Sequence, residues 1–160
     1  MSTHATKLSL NKETPGHGGP CGFRVWDKEA NEYCSEAYLI DTAGCLYEIG
    51  ILADRSTLFF SKQERYVIEM SSGFKCEDGK SVYAGDVVCV PTMLGEPVND
   101  AWSSMVGVVK FVNCAWVVGD KHGCTQLRAY DKIQLIGNIH QLDKLPKKYR
   151  GRISKTTYME

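Results

Sequence analysis

Cys124, His140 and Asp86 are the residue types from which a nucleophile, a base and an orienting carboxylate are built. No motif ties them together, and in a chain with seven cysteines and four histidines such triples arise without function. No catalytic residue is therefore assigned, and the chain is expected not to be an enzyme. "HGC" places His122 and Cys124 in one loop as two soft metal ligands. There is no second local pair and no C-x-x-C, so neither a metal nor a cofactor is expected. Paired carboxylates occur at Glu77-Asp78, inside a turn, and at Asp27 with Glu29, after a strand. Both read as solvated turn carboxylates, because a metal-dependent nuclease needs several separated acidic ligands around one pocket.

Binding chemistry has better candidates. Trp26, Trp102, Trp116 and Tyr83 are aromatic rings that a small β domain could present as stacking platforms, with Trp102 and Trp116 taken as candidate contact residues. Formal net charge is zero, but it is unevenly spread. Six of the 19 basic residues lie between Lys144 and Tyr158 with no acidic one among them, so the rest of the chain sets 13 basic against all 19 acidic residues. Lys147, Lys148, Arg150 and Arg152 are the candidate cationic contacts. Such a segment can bind nucleic acid or dock on the acidic face of a neighbouring subunit.

The elements that must position these residues are strands. The 160 residues, 43% of them apolar, suffice for a single core-forming domain with appendages. Residues 1–22 are polar and end in "PGHGGPCG", which reads as a flexible N-terminal arm. "FRVWD" alternates as a strand. "EAYLID", "TAG" and "CLYEIGIL" form a hairpin turning at Gly44, and "RSTLFFSKQERYVIEM" reads as strand, loop, strand. "EDGK" and "YAGD" are two tight reversals before "VVCV", a strand apolar on both faces and therefore buried, whose pairing Pro91 should end. "MVGVVKFVNCAWVV" is a hairpin reversing near Asn113. "GDKHG" is a turn, "TQLRAY" and "KIQLIGNIH" are the last strands, and Gly137 marks a bulge or bend within the second. The remainder is expected to lie outside the core as a basic tail, residues 146–160. The fold class is mainly β: irregular, coiled antiparallel sheets with a small barrel-like C-terminal half. No run is apolar and long enough to span a membrane and no secretory signal is present, so free thiols and a host-cell cytoplasmic location are expected.

"FRVWDKE", "SGFKCEDGKSVYAGDVV", "GVVKF" with "AWVV", and "LIGNIH" follow one another in the order and approximate spacing of the YopX-like phage and prophage proteins, which this chain resembles from Phe23 to about Leu145. It departs at the N-terminal arm and the basic tail. The most specific part is Gly73, Asp78-Gly79, Tyr83, Gly85-Asp86 and the valine strand, which is expected to define the fold rather than to catalyse. Asp86 is suited to bond the amides freed by the turn. The resemblance implies a small, β-rich, self-associating, phage-encoded protein and no particular activity. The expected function is a non-enzymatic accessory protein that blocks or sequesters a host component, including a defence component, as a homo-oligomer. The alternatives are nucleic-acid binding through the basic tail, or a sponge for a small nucleotide signal.

Overall fold

The computed structural model describes residues 9–10, 22–52, 55–60, 64–92, 103–128 and 132–153. It is mainly β, every strand pair is antiparallel, and the chain divides into two compact units, residues 1–70 and 71–160.

In the first unit, β1 (Ser9–Leu10), β2 (Phe23–Asp27), β3 (Glu32–Tyr33), β4 (Tyr38–Ile40), β5 (Leu46–Leu52) and β6 (Arg55–Phe60) precede the first half of β7 (Tyr66–Lys75). One sheet has the order β1-β4-β5-β6, while β2 lies between β3 and β7. The expected arm falls outside the described residues except at Ser9–Leu10, which pair with Ile40 and Leu39. Gly44 takes a φ of 83° in the hairpin joining β4 and β5, the left-handed region that a side chain disfavours. Phe23 and Val25, alternate residues of β2, bury against Tyr38 and Leu46 to form this unit's core.

The unit boundary falls inside β7, whose residues 66–70 pair with β2 and whose residues 71–75 pair with β8 (Ser81–Tyr83). The second half of β7 is irregular. Its register shifts between Ser71 and Lys75, with Gly73 at a φ of 78°. Ser72 Oγ accepts from Phe74 N–H at 3.2 Å and donates to Val82 O at 2.6 Å, so a side chain supplies bonds that the coiled ladder lacks there.

The second unit is built on a five-stranded sheet that curls into a half-barrel. Its strands are β9 (Asp86–Thr92), β10 (Ser103–Val112), β11 (Ala115–Asp120), β12 (Gly123–Gln126) and β13 (Gln134–Asn138), in the order β12-β11-β10-β9-β13. The "VVCV" strand is apolar on both faces for a visible reason. Val88 and Val90 enter one core with Val109, Val118, Val82 and Ile133, while Val87 enters another with Val106, Val108, Ile139, Leu145 and Ile153. A residue period of two sends adjacent side chains to opposite faces, and here both faces are covered.

Three expectations change. Pro91 does not end β9: the strand continues to Thr92 against β10, and what stops at Cys89 is pairing with β13, so the imide sits where one neighbouring strand remains. The "TQLRAY" strand is shorter, and Leu127 leaves it to bury in the first of these two cores. From Gln141 to Ile153 the segment is not outside the core, and residues 154–160 of the expected tail lie outside the described residues. A 3₁₀ segment (Ile139–Lys144) and the single helical turn α1 (Lys147–Arg150) lie over the second core: Leu145, in extended backbone between them, and Ile153, beyond the turn, are buried in it, and Tyr149 of the turn packs against it. The bulge expected at Gly137 is present between Leu135 and Gly137.

Candidate functional site

The glycine-rich central motif uses its polar groups in closing the backbone. Gly79 and Gly85 both sit at a φ of 83°. Gly85 N–H donates to Val109 O at 3.0 Å and its carbonyl accepts from Ile139 N–H at 2.9 Å, joining the second reversal to β10 and to the segment after β13. Asp86, 1% exposed, accepts from Tyr83 N–H at 2.9 Å and from Asn138 Nδ2 at 3.4 Å. Asp78 accepts from Lys80 N–H at 3.2 Å and pairs with its ammonium at 2.8 Å. Tyr83 is buried, so its ring is not a stacking platform.

The triple Cys124, His140 and Asp86 is not assembled. Cys124 is on the edge strand β12, which β11 and β10 separate from the β9 strand of Asp86, three strand spacings or about 14 Å. Cys124 and His122 are exposed, and the described residues hold no cluster of three or more His, Cys, Asp or Glu side chains able to bind a metal. Burial pushes the Cys76 thiol up to about 11 and raises that of Cys34, the opposite of what an activated thiolate requires.

The carboxylate pairs differ from one another. Glu77 and Asp78 are exposed turn residues. Asp27, expected to be solvated, is buried: it accepts from the N–H groups of Glu29 and Ala30 at 2.9 and 3.1 Å and is clamped by the Arg65 guanidinium, which also reaches Glu29 at 3.2 Å. The Arg65 hydrogen bond is the main reason that the Asp27 carboxyl falls from 3.8 to about 2. A depressed folded value means stability that is present above the unfolded value and is lost as pH falls through the folded one. The urea midpoint of the native protein should therefore exceed that of Asp27→Asn by a constant margin above pH 5, and the margin should close between about pH 4 and pH 2. A margin unchanged at pH 2 would sink this account.

Two exposed surfaces remain as candidates. Trp26, 2% exposed, packs edge-on against Tyr33 and is withdrawn from solvent; Trp102 lies outside the described residues. Trp116 is half-buried and faces Phe111 across the β10–β11 ladder with ring centres 5.1 Å apart. Phe111 is 59% exposed and Val112 44%, next to a two-residue reversal with Asn113 and Cys114 both at positive φ. Phe111 shares its strand face with buried Val109, two residues away, and strand alternation carries no sign of where the core ends.

The second surface is cationic. Lys144, Lys147, Lys148, Arg150 and Arg152 are all exposed around α1. With Leu145, Tyr149 and Ile153 turned toward the core, the cations have only the outward side to occupy. Arg150 Nε donates to Leu145 O at 2.6 Å, and Lys148 Nζ lies 4.7 Å from the Tyr149 ring centre. The structure adds a residue that sequence reading missed: Lys121, on the turn between β11 and β12, donates to Gly151 O at 3.4 Å. Separated by 30 positions from that carbonyl, it had no sequence signal. Among the described residues no helix is long and apolar enough to cross a membrane.

A family model described as YopX protein matches residues 22–145. Among solved structures, protein yopX from Bacillus subtilis is similar with a TM-score of 0.53 at 21% identity, covering 81% of this chain and 100% of that one. Protein EF1440 from Enterococcus faecalis has a TM-score of 0.40 at 17% identity, covering 79% and 98%. No curated protein matches this chain. At these identities the first likeness speaks to fold.

Proposed function

This chain belongs to the YopX protein family, and from that premise we propose that it is a non-enzymatic, phage-type accessory protein that acts by occupying an anionic target through the face around α1. The observation that carries the reading is the orientation of that segment. Its Leu145 and Ile153 are buried in the sheet's second core with Tyr149 packed against it, and its five cations, Lys144, Lys147, Lys148, Arg150 and Arg152, are exposed, with Lys121 brought alongside. The chain as a whole is neutral, so an attraction to anions has to come from this local field. Blocking or sequestering a host component is the use expected of such a face in a phage-type protein. Stoichiometric occupation rather than turnover follows from the same reading.

Retention on immobilised heparin, used as a sulfated polyanion probe, tests it. The full-length protein should be held at about 50 mM salt and released as salt rises, because exposed charges are screened. Lys147→Glu with Lys148→Glu should flow through with an unchanged melting temperature, since both side chains are exposed. A native protein that is not retained at that salt overturns the reading. Salt-sensitive light scattering without retention would instead indicate that the face docks on the acidic surface of a second copy.

A further inference from the structure

Resting on the reading above, we infer that the anionic target is the phosphate backbone of duplex nucleic acid, held without regard to base sequence. What decides between a polyanion and an acidic protein is where the apolar residues of the segment go. A specific protein interface needs a desolvated apolar or aromatic centre inside its polar rim. Here Leu145 and Ile153 are 1% and 5% exposed and Tyr149 packs against the same core, so among the described residues the outward side of the turn has cations and no large apolar anchor. A surface of that composition suits phosphate contacts, which are polar, hydrated and driven by release of counterions.

Charge placement agrees. No acidic residue occurs from Lys144 to Tyr158. The nearest carboxylate before it is Asp143, and Asp120, beside Lys121, accepts from His122 N–H at 2.7 Å and Gly123 N–H at 3.2 Å. Arg150 is fixed through Nε to Leu145 O, a bond that leaves its two terminal nitrogens outside it, so a planar donor group is oriented before a ligand arrives. Among the described residues the aromatic ring of this segment is Tyr149, which is half-buried with the Lys148 ammonium near its face. It does not offer an open stacking platform for an unpaired base, which favours the duplex over a single strand. A four-residue turn cannot fill a major groove, so base-edge readout is not expected.

The test is fluorescence anisotropy of the full-length protein with labelled duplexes of about 20 base pairs in two unrelated sequences, at salt from about 50 to 200 mM. Equal affinity for both duplexes is expected. With six cations available, the log–log salt slope should reach a magnitude of about 3 to 5. Lys147→Glu with Lys148→Glu should lower affinity at least tenfold and reduce the slope by about two, while Lys28→Glu, an exposed change in the other unit, should do neither. Retention on heparin without duplex binding at low salt overturns the nucleic-acid assignment and leaves the anionic-target reading standing, with poly-glutamate as the probe for an acidic protein. Failure of both assays overturns both. Duplex binding that survives the double charge reversal overturns the placement on this face.

Discussion

Ending the chain after Leu145 should cost the second unit its cooperative folding. The cut removes Ile153 and Tyr149 and exposes one side of a core to which Val87, Val106, Val108 and Ile139 contribute, all of them at most 3% exposed. Each fully buried aliphatic side chain is worth about 1.5–3 kcal/mol. Partial exposure of several therefore approaches the whole stability of an ordinary domain, about 5–15 kcal/mol. Ile153→Ala in the full-length chain is the graded version and should cost about 2–5 kcal/mol by transfer and cavity terms together. Urea unfolding followed by circular dichroism would measure both. A truncated protein with the melting behaviour of the full chain would show that the segment only rests on the sheet. The result also governs how the cationic face is tested. Deleting the segment would remove a cover and a charge cluster together, so a loss of binding or assembly on truncation would say nothing about charge; the exposed lysines must be reversed in place.

The segments that were legible in the sequence are those whose signals are local. Period-two alternation located β2, β4, β5 and the β10–β11 hairpin, and Gly44, Gly79 and Gly85 stand at the positive φ that their turns demand. Asp86 was placed as an acceptor for amides freed by the turn, and it accepts from Tyr83 N–H. The carboxyl-terminal segment was misread although Leu145, Tyr149 and Ile153 stand at helical spacing. Its proline, glycine and six cations signal a solvated tail, and the apolar surface that binds those three residues does not exist until β9 and β10 have paired. Pro91 was misread for a related reason: a missing N–H matters only where a partner strand stands opposite, and topology alone decides that. The cationic face was half visible. Composition named its residues, whereas the folding-back that turns them outward and brings Lys121 to Gly151 depends on long-range packing.

Buried ionic chemistry in the first unit was invisible for the same reason, and it supports the second large prediction. Glu69 is 0% exposed in β7, directly opposite Arg24 in β2, and its carboxylate accepts from Arg24 Nε at 2.7 Å and from the Tyr33 hydroxyl at 3.0 Å. The Arg24 guanidinium also stacks over the Tyr33 ring, 4.3 Å from its centre. Alternation along "FRVWD" places Arg24 on the face opposite Phe23 and Val25, but only the strand register reveals that a buried carboxylate waits there. Removing the cation while leaving the carboxylate should be far worse than removing both, because an ion taken out of water depends on its partner. Arg24→Ala is expected to cost about 3–5 kcal/mol. Arg24→Met combined with Glu69→Leu should recover most of that loss, since apolar side chains of similar volume fill the same space with no charge to desolvate. Arg24→Lys should fall between, losing the planar group that bonds the carboxylate and covers the ring at once. Denaturant midpoints for Arg24→Met, Glu69→Leu and their combination form with the native protein a thermodynamic cycle whose coupling energy isolates the pair. If the double variant is as unstable as the sum of the two single changes, the pair is not coupled, and the stability of β2 against β7 comes from the Phe23 and Val25 face alone.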